Sequence, residues 1–201
     1  MEIQQTFQFD NGGSIPTTPH SFKIYKGVYK DFSHLLKKYH YKSDKIGGGI
    51  SHHLTLKYGL FIVGGCVIGQ MRHRDKYDVQ SVELRRMVLH PDCPKNTASY
   101  FLSKIIWWLK NNTYINTVFT FADQSVGHIG TCYKASNFEF VKKTSPSNHI
   151  LWNDKLYHMR SLTIDRPYSY KIRENLKTGK AKIIKGKPKL LYKYEIKRKK
   201  N

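Results

Sequence analysis

The stretch from Phe121 to Phe138 holds the densest chemistry in the chain. An apolar run ends at Phe121-Ala122, Asp123 follows at once, and Tyr133 lies ten residues further on, just before Asn137-Phe138. A carboxylate can accept a proton and a phenol can donate one to a departing thiolate. Open α/β sheets place ligands at the carboxyl ends of their strands. A strand-end Asp123 and a Tyr133 on the next helix can therefore converge on one cleft. The plainer reading is that Asp123 caps a helix and Tyr133 packs in a core, and spacing alone favours it.

Lys95, Asn96, Thr97, Ala98 and Ser99 form a second candidate. They sit where a helix begins, and a helix start offers unpaired N–H groups and a positive dipole end that suit phosphate. An ordinary capped helix explains the same residues. His40 stands between Tyr39 and Tyr41. His52-His53 lacks Cys, His or carboxylate neighbours at zinc spacing, and Gly47-Gly48-Gly49 is not followed by the Gly-Lys-Ser/Thr of a nucleotide-phosphate loop. Cys66, Cys93 and Cys132 are odd in number and far apart, as expected of reduced thiols rather than a disulfide framework.

These residues need elements to hold them. Residues 28–41 place Val28, Phe32, Leu35, Leu36 and Tyr39 at helical spacing. Residues 53–63 read as a strand, Gly64-Gly65 as a turn and Cys66–Met71 as the hairpin partner. Residues 81–89 are the next strand, and their broken alternation at 85–87 predicts a bulge. Residues 97–111 repeat apolar groups at Ala98, Phe101, Leu102, Ile105, Ile106 and Leu109, a strong amphipathic helix with Asn96 or Thr97 as its cap. A strand over 115–122, a short helix over Gly127–Ser136 ending at a left-handed Asn137, and a strand at 138–141 complete the pattern. A first strand at Thr6–Phe9 is also expected. This order predicts a mixed α/β fold around a central sheet, with a break near 144–148 and an extension from about Arg160 that pairs back onto the sheet.

Charge bounds the partner. The 201 residues hold 35 Lys and Arg against 14 Asp and Glu, a net +21, which calls for a polyanion. With 39% hydrophobic and 13% aromatic residues, most of the chain is not disordered. No apolar run approaches the ~20 residues that span a bilayer, and residues 1–13 show no signal-peptide pattern. Residues 171–201 carry 13 Lys and Arg with two acids, interleaved with Ile183, Ile184, Leu190, Leu191, Tyr192, Tyr194 and Ile196. Cations neutralise phosphates and aromatic faces can stack on bases. The predicted contacts are Arg160, Lys171, Arg173, Lys182, Lys185, Lys187, Lys189 and Lys193.

Taken together, the order of elements closing on Tyr133, Asn137 and Phe138 resembles the acyl-CoA-binding half of the GNAT acetyltransferase fold. More narrowly, four blocks resemble the Mom family of phage DNA-modification proteins: Glu83-Leu84-Arg85-Arg86, Lys95 to Ser99, Phe121 to Ala135, and the early His40-Tyr41. His158-Met159-Arg160-Ser161 and the close from Lys189 to Ile196 also fit. The similarity covers most of residues 28–196, and 121–135 is its most specific part.

The resemblance implies a GNAT-like mixed central sheet flanked by helices over 1–160, with a basic aromatic-rich extension over 161–201 contacting double-stranded DNA. It implies transfer of a small carbamoylmethyl- or acyl-type group to N6 of adenine, protecting phage DNA from host restriction in the cytoplasm of an infected bacterium. Asp123, Tyr133, His40 and Tyr41 match the family's active cleft, and Glu83 is a second base on a strand bordering it. Tyr58 and Arg85 or Arg86 match cofactor-side residues. The usual GNAT pyrophosphate signature is absent at 90–99, so Lys95 to Ser99 substitute for it, with acyl-CoA (acetyl-CoA) as the expected cofactor. His40, Tyr41 and Asp123 could supply N and O ligands for iron. A plain GNAT acetyltransferase acting on a protein or small amine, and a non-catalytic nucleic-acid-binding protein, remain alternatives. Oligomeric state stays open, a dimer being one option.

Overall fold

A computed structural model of the chain describes residues 16–41, 49–71, 76–165 and 167–198. The strand expected at Thr6–Phe9 and the glycines at 12–13 and 47–48 lie outside these residues. The elements run β1 (Lys23–Lys26), α1 (Tyr29–Tyr39), β2 (Ile50–Tyr58), β3 (Phe61–Gln70), β4 (Ser81–Leu89), α2 (Thr97–Asn112), β5 (Thr117–Asp123), α3 (Thr131–Lys134), β6 (Glu139–Lys143), β7 (Asn148–Trp152), β8 (Lys155–His158), α4 (Ser169–Lys177), β9 (Lys182–Lys185) and β10 (Lys189–Glu195). A seven-stranded central sheet has the order β1-β2-β3-β4-β5-β10-β6, and a three-stranded sheet has the order β8-β7-β9. The first four strands pair antiparallel, and β4 pairs parallel with β5. The mixed α/β expectation is met.

The chain divides into two compact units. The first comprises Met1–Phe121, Gly130–Phe140 and Tyr192–Asn201, and the second comprises Ala122–Ile129 and Val141–Leu191.

In the first unit, α1 buries Phe32, Leu35 and Leu36 against Val67 of β3 and Val88 of β4. Its start is fixed by Asp31, whose carboxylate accepts the Val28 amide at 2.9 Å, as an acidic side chain in a first turn should. The turn expected at Gly64-Gly65 is not there. The chain reverses at Gly59-Leu60, where Gly59 takes φ +56° and Leu60 is exposed, and β3 runs straight through the two glycines. The reason is packing: a Cβ on Gly65 would come within 2.1 Å of Phe32 Cγ, and one on Gly64 within 2.6 Å of Leu89 Cδ2. The glycines make room for α1 and its neighbours rather than bend the strand.

Helix α2 buries Phe101, Leu102, Ile105, Ile106 and Leu109 along one stripe, as its periodicity predicts. Its expected side-chain cap is absent. Asn96 precedes it in the left-handed conformation (φ 69°) without a capping hydrogen bond, and the Thr97 hydroxyl donates to Pro94 O at 2.6 Å. The helix predicted over Gly127–Ser136 is shorter: a 3-10 turn at Gln124–Val126, then the single turn of α3. Asn137 does take the left-handed position, at φ 62°.

In the second unit, Ile150, Ile172 and Ala181 form a core, with Trp152, Tyr157, Tyr168 and Leu176 packed against it. The basic close of the chain forms a strand of the seven-stranded sheet, β10, in which Leu190, Leu191 and Tyr192 are buried.

Candidate functional site

The feature that shapes the site is a fork in the central sheet. The parallel register of β4 and β5 runs Ser81↔Thr117, Val82↔Val118, Glu83↔Phe119 and Leu84↔Thr120, and stops there although β4 continues to Leu89. At the same level the pairing of β4 with β3 shifts, with Val67 opposite Arg86 and Ile68 opposite Leu84. Arg85 is thus the extra residue of a bulge, at the place its broken alternation predicted. A bulge bends its strand and increases local twist, which carries β4 away from β5.

Thr120, the last residue of β5 paired with β4, is buried and donates its hydroxyl to Leu84 O across the fork. Tyr133 shares a side-chain hydrogen bond with this Thr120. The body of Tyr133 lies against Phe138 and Tyr192, with ring centroids 5.8 and 5.5 Å away. Gly130 makes this possible: it takes φ +79°, and a Cβ there would come within 2.4 Å of the Tyr192 ring. Burial pushes the Tyr133 phenol up to about 12, the bond with Thr120 working the other way. Tyr133 is therefore a protonated phenol at neutral pH, fixed at the fork and able to donate.

Glu83 and Arg85 lie on β4 beside the bulge. Arg85 Nη2 donates to Gln70 O at 2.7 Å, and its Nε stands 4.0 Å from Glu83 Oε2. A Cβ on Gly69 would lie 2.6 Å from Arg85 Cζ, so the guanidinium rests flat on the strand. Arg86 Nη1 donates to Arg85 O at 2.8 Å. Both arginines brace the bulge from within the protein. Tyr58 ends β2 with its ring edge-on to Phe22, at 6.1 Å.

At the far end of β4, α2 begins. Lys95 and Asn96 are exposed there, and together with Ser99, Tyr100, Asn137 and Tyr194 they line part of a cleft of about 660 Å³. Thr97 is buried, so it shapes the turn rather than the cleft. Ala98 and Ser99 lie in the first turn, whose amides the helix itself cannot satisfy.

The end of α1 holds the other pair. His40 terminates the helix through its amide to Leu36 O at 3.1 Å, and its ring stacks on Tyr41 at 4.8 Å. The sequence reading missed the neighbour that steadies this end. His90, just past β4, meets the Tyr39 hydroxyl at 3.4 Å through Nε2, and its Nδ1 stands 3.4 Å from Asp92 Oδ2. Burial holds the His90 imidazole below its usual range, with Asp92 opposing. Only the short spacing His90-Pro91-Asp92 could have drawn attention to it.

Asp123 belongs to the second unit. It is buried, as the last residue of β5. Its Oδ1 accepts the Ser125 amide at 3.1 Å and the Ser125 hydroxyl, capping the 3-10 turn, while Lys189 Nζ stands 3.6 Å from Oδ2. Asp123 is thus a cap, as the plainer reading held, with a lysine beside its second oxygen. The predicted DNA contacts divide. Arg160, Lys171, Lys182, Lys185 and Lys187 are exposed, whereas Arg173 pairs with Asp165, Lys189 with Asp123, and Lys193 with Glu195. The iron expectation finds no support: among the described residues no three His, Cys, Asp or Glu side chains gather as metal ligands.

Comparison with known proteins decides the family. Residues 28–201 match the model of the Mom protein family. The chain belongs to the Mom family. Among curated members, a segment of 63 residues is 41% identical to the methylcarbamoylase mom of Escherichia phage Mu, covering 30% of this chain and 25% of that protein. The match thus spans about a quarter of that relative's length. The fold of this chain is that of the GNAT acetyltransferases. Solved structures that share it include the ribosomal-protein-S18-alanine N-acetyltransferase of Escherichia coli (11% identity, 89% of this chain, 96% of that one, TM-score 0.53). A Bacillus subtilis acetyltransferase in complex with CoA matches at 12% identity, 88% and 98% coverage and TM-score 0.52. The Vibrio cholerae spermidine N-acetyltransferase in complex with CoA and spermine matches at 6%, 88% and 96%, and 0.55.

Proposed function

We propose that this chain is a phage DNA-modifying transferase that adds a small carbamoylmethyl- or acyl-type group to N6 of adenine in duplex DNA and so shields that DNA from restriction. The observation that carries this reading is the family match over residues 28–201, and the Phage Mu relative's name, methylcarbamoylase, supports group transfer. The net charge of +21 suits a polyanionic substrate and works against small cationic amines.

Adenine N6 lies inside a stacked pair, so the base is extruded at a cost of roughly a few kcal/mol. The aromatic faces of His40, Tyr41 and Tyr58 offer surfaces for the extruded ring. The N6 lone pair is delocalised into the ring, so its attack needs a base. Asp123 is that base in this reading, accepting the N6 proton on its carboxylate, and Glu83 is the second candidate. Tyr133 Oη holds the proton that neutralises the departing group.

The residues present fit an acyl-CoA. Lys95 supplies a cation beside the start of α2, and Asn96 takes the left-handed backbone (φ 69°) that glycine usually provides in a phosphate-binding turn. Ala98 and Ser99 are small enough to let a phosphate approach their amides. The cofactor, when bound, would supply an acyl carbon activated as a thioester, which accounts for the acyl-type transfer; a carbamoylmethyl group would need a donor whose methylene carbon bears the leaving group.

Plasmid DNA from bacteria expressing the chain tests the reading. It should resist restriction enzymes whose sites contain adenine. Digestion identical to that of control plasmid overturns it.

A further inference from the structure

We propose that the outward face of the three-stranded sheet β8-β7-β9 grips duplex DNA through its phosphates. This rests on the reading above that DNA is the substrate, and names the surface that holds it. Directly opposed residues of antiparallel strands share a face. Ile150 pairs with Tyr157 and Ile183, and this row, with Trp152, lies on the side of the α4 core. The opposite face carries two rows, His158-His149-Ile184 and Leu156-Leu151-Lys182. It holds no acid. His158, Leu156 and Lys182 are exposed, Leu156 by 62%.

Cations surround this face. Arg160 and Lys187 are exposed just beyond the strands, while Lys155 and Lys185, exposed on the two edge strands, stand opposite Trp152 and Asn148 and so belong by register to the α4 side. Among the described residues Lys182, Lys185 and Lys187 form no ion pair, in contrast to Lys189 and Lys193, which the sequence offered equally and the fold has neutralised. Residues 141–191 hold thirteen Lys and Arg against three acids, and one of those acids, Asp165, is tied to Arg173. Phosphates meeting such a surface release their counterions, the main source of affinity for duplex DNA.

Two other occupants fit less well. A second copy docked through the same face would bring the same lysines together. A single strand seeks aromatic faces to stack on, yet Trp152 and Tyr157 are turned to the α4 side. What is left is a face that follows a backbone rather than one that reads bases.

The experiment measures binding of a duplex oligonucleotide by fluorescence anisotropy over a series of salt concentrations, using the full chain. The triple variant Lys182→Glu, Lys185→Glu, Lys187→Glu should lose at least about tenfold in affinity, and the slope of log K against log salt should fall by roughly 2–3, near 0.9 per phosphate lost. A control with the same charge change elsewhere, Lys23→Glu, Lys30→Glu, Lys110→Glu, should keep the wild-type slope within about one contact. If the triple variant does not fold, as judged by circular dichroism, the pair Lys155→Ala, Arg160→Ala should still lower the slope. Wild-type affinity and slope in both sets of variants, with plasmid DNA still modified, overturns the surface and leaves the substrate reading standing. DNA that wild-type protein binds but never modifies counts against the substrate reading instead. Tighter binding of single strands or duplex RNA, or a dimer that Leu156→Asp dissolves, also overturns the proposal.

Discussion

Lys189 Nζ stands 3.6 Å from the buried Oδ2 of Asp123, so the most conspicuous carboxylate in the sequence is paired with a cation from the basic segment thought to hold DNA. Its other oxygen is engaged by Ser125. Breaking a buried pair from one side leaves a charge without compensation, and the partial exposure of Lys189 reduces that penalty. Lys189→Met should lower stability by about 1–2 kcal/mol, and Asp123→Asn should cost less than Asp123→Ala because the amide oxygen can still cap the turn. Urea unfolding of the three variants checks the order.

Tyr133 separates chemistry from folding. Tyr133→Phe keeps the ring between Phe138 and Tyr192 and removes only the proton and the bond with Thr120. Product formation should fall by about 10²–10⁴, the range for a lost general acid, with DNA affinity unchanged. Thr120→Val should give a smaller loss, since the phenol would remain but lose its anchor. Quantifying the modified nucleoside alongside a binding titration distinguishes the two effects.

Gly65 tests the packing of α1. A methyl group there would collide with Phe32, so Gly65→Ala should cost about 1–3 kcal/mol through overpacking. Combining it with Phe32→Leu should recover part of that loss, whereas the two changes would simply add if they were independent. Thermal melts of the singles and the double close the cycle.

Stability should fall with acidity. Burial holds the imidazoles of His52, His53 and His90 below their usual range in the folded protein. Below about pH 6.5 the unfolded chain takes up protons that these groups refuse when folded, so stability rises with pH through that window and is lost as pH falls toward the depressed folded values. Melting temperatures between about pH 5 and 8 should show this slope, and His90→Gln should flatten part of it. An equal slope in that variant would remove His90 from the account.

Much of this architecture could be read from residue order. The stripe of α2, the strand over 81–89 and its bulge at Arg85 all follow from local periodicity, because each is set by neighbours within a turn or two of chain. Gly64-Gly65 misled because the same residue type serves tight turns and close packing, and only the distant Phe32 decides which. The close from Lys189 to Glu195 misled for a similar reason. Its apolar residues are buried in the sheet, and the charges of Lys189 and Lys193 are met by Asp123 and Glu195. Tyr133 was legible as a candidate, but its place beside the fork depends on where the β4–β5 register ends, and no spacing records that. His90 became visible only when the fold brought Tyr39 to it.

The most direct test of the central claim is the mass of the nucleosides themselves. DNA from cells expressing this chain, digested completely and separated by liquid chromatography and mass spectrometry, should contain a heavier deoxyadenosine whose added mass sits on the base, and the same peak should be lost in the Tyr133→Phe sample. Unmodified deoxyadenosine alone in the wild-type sample, or added mass on another base, would contradict the account.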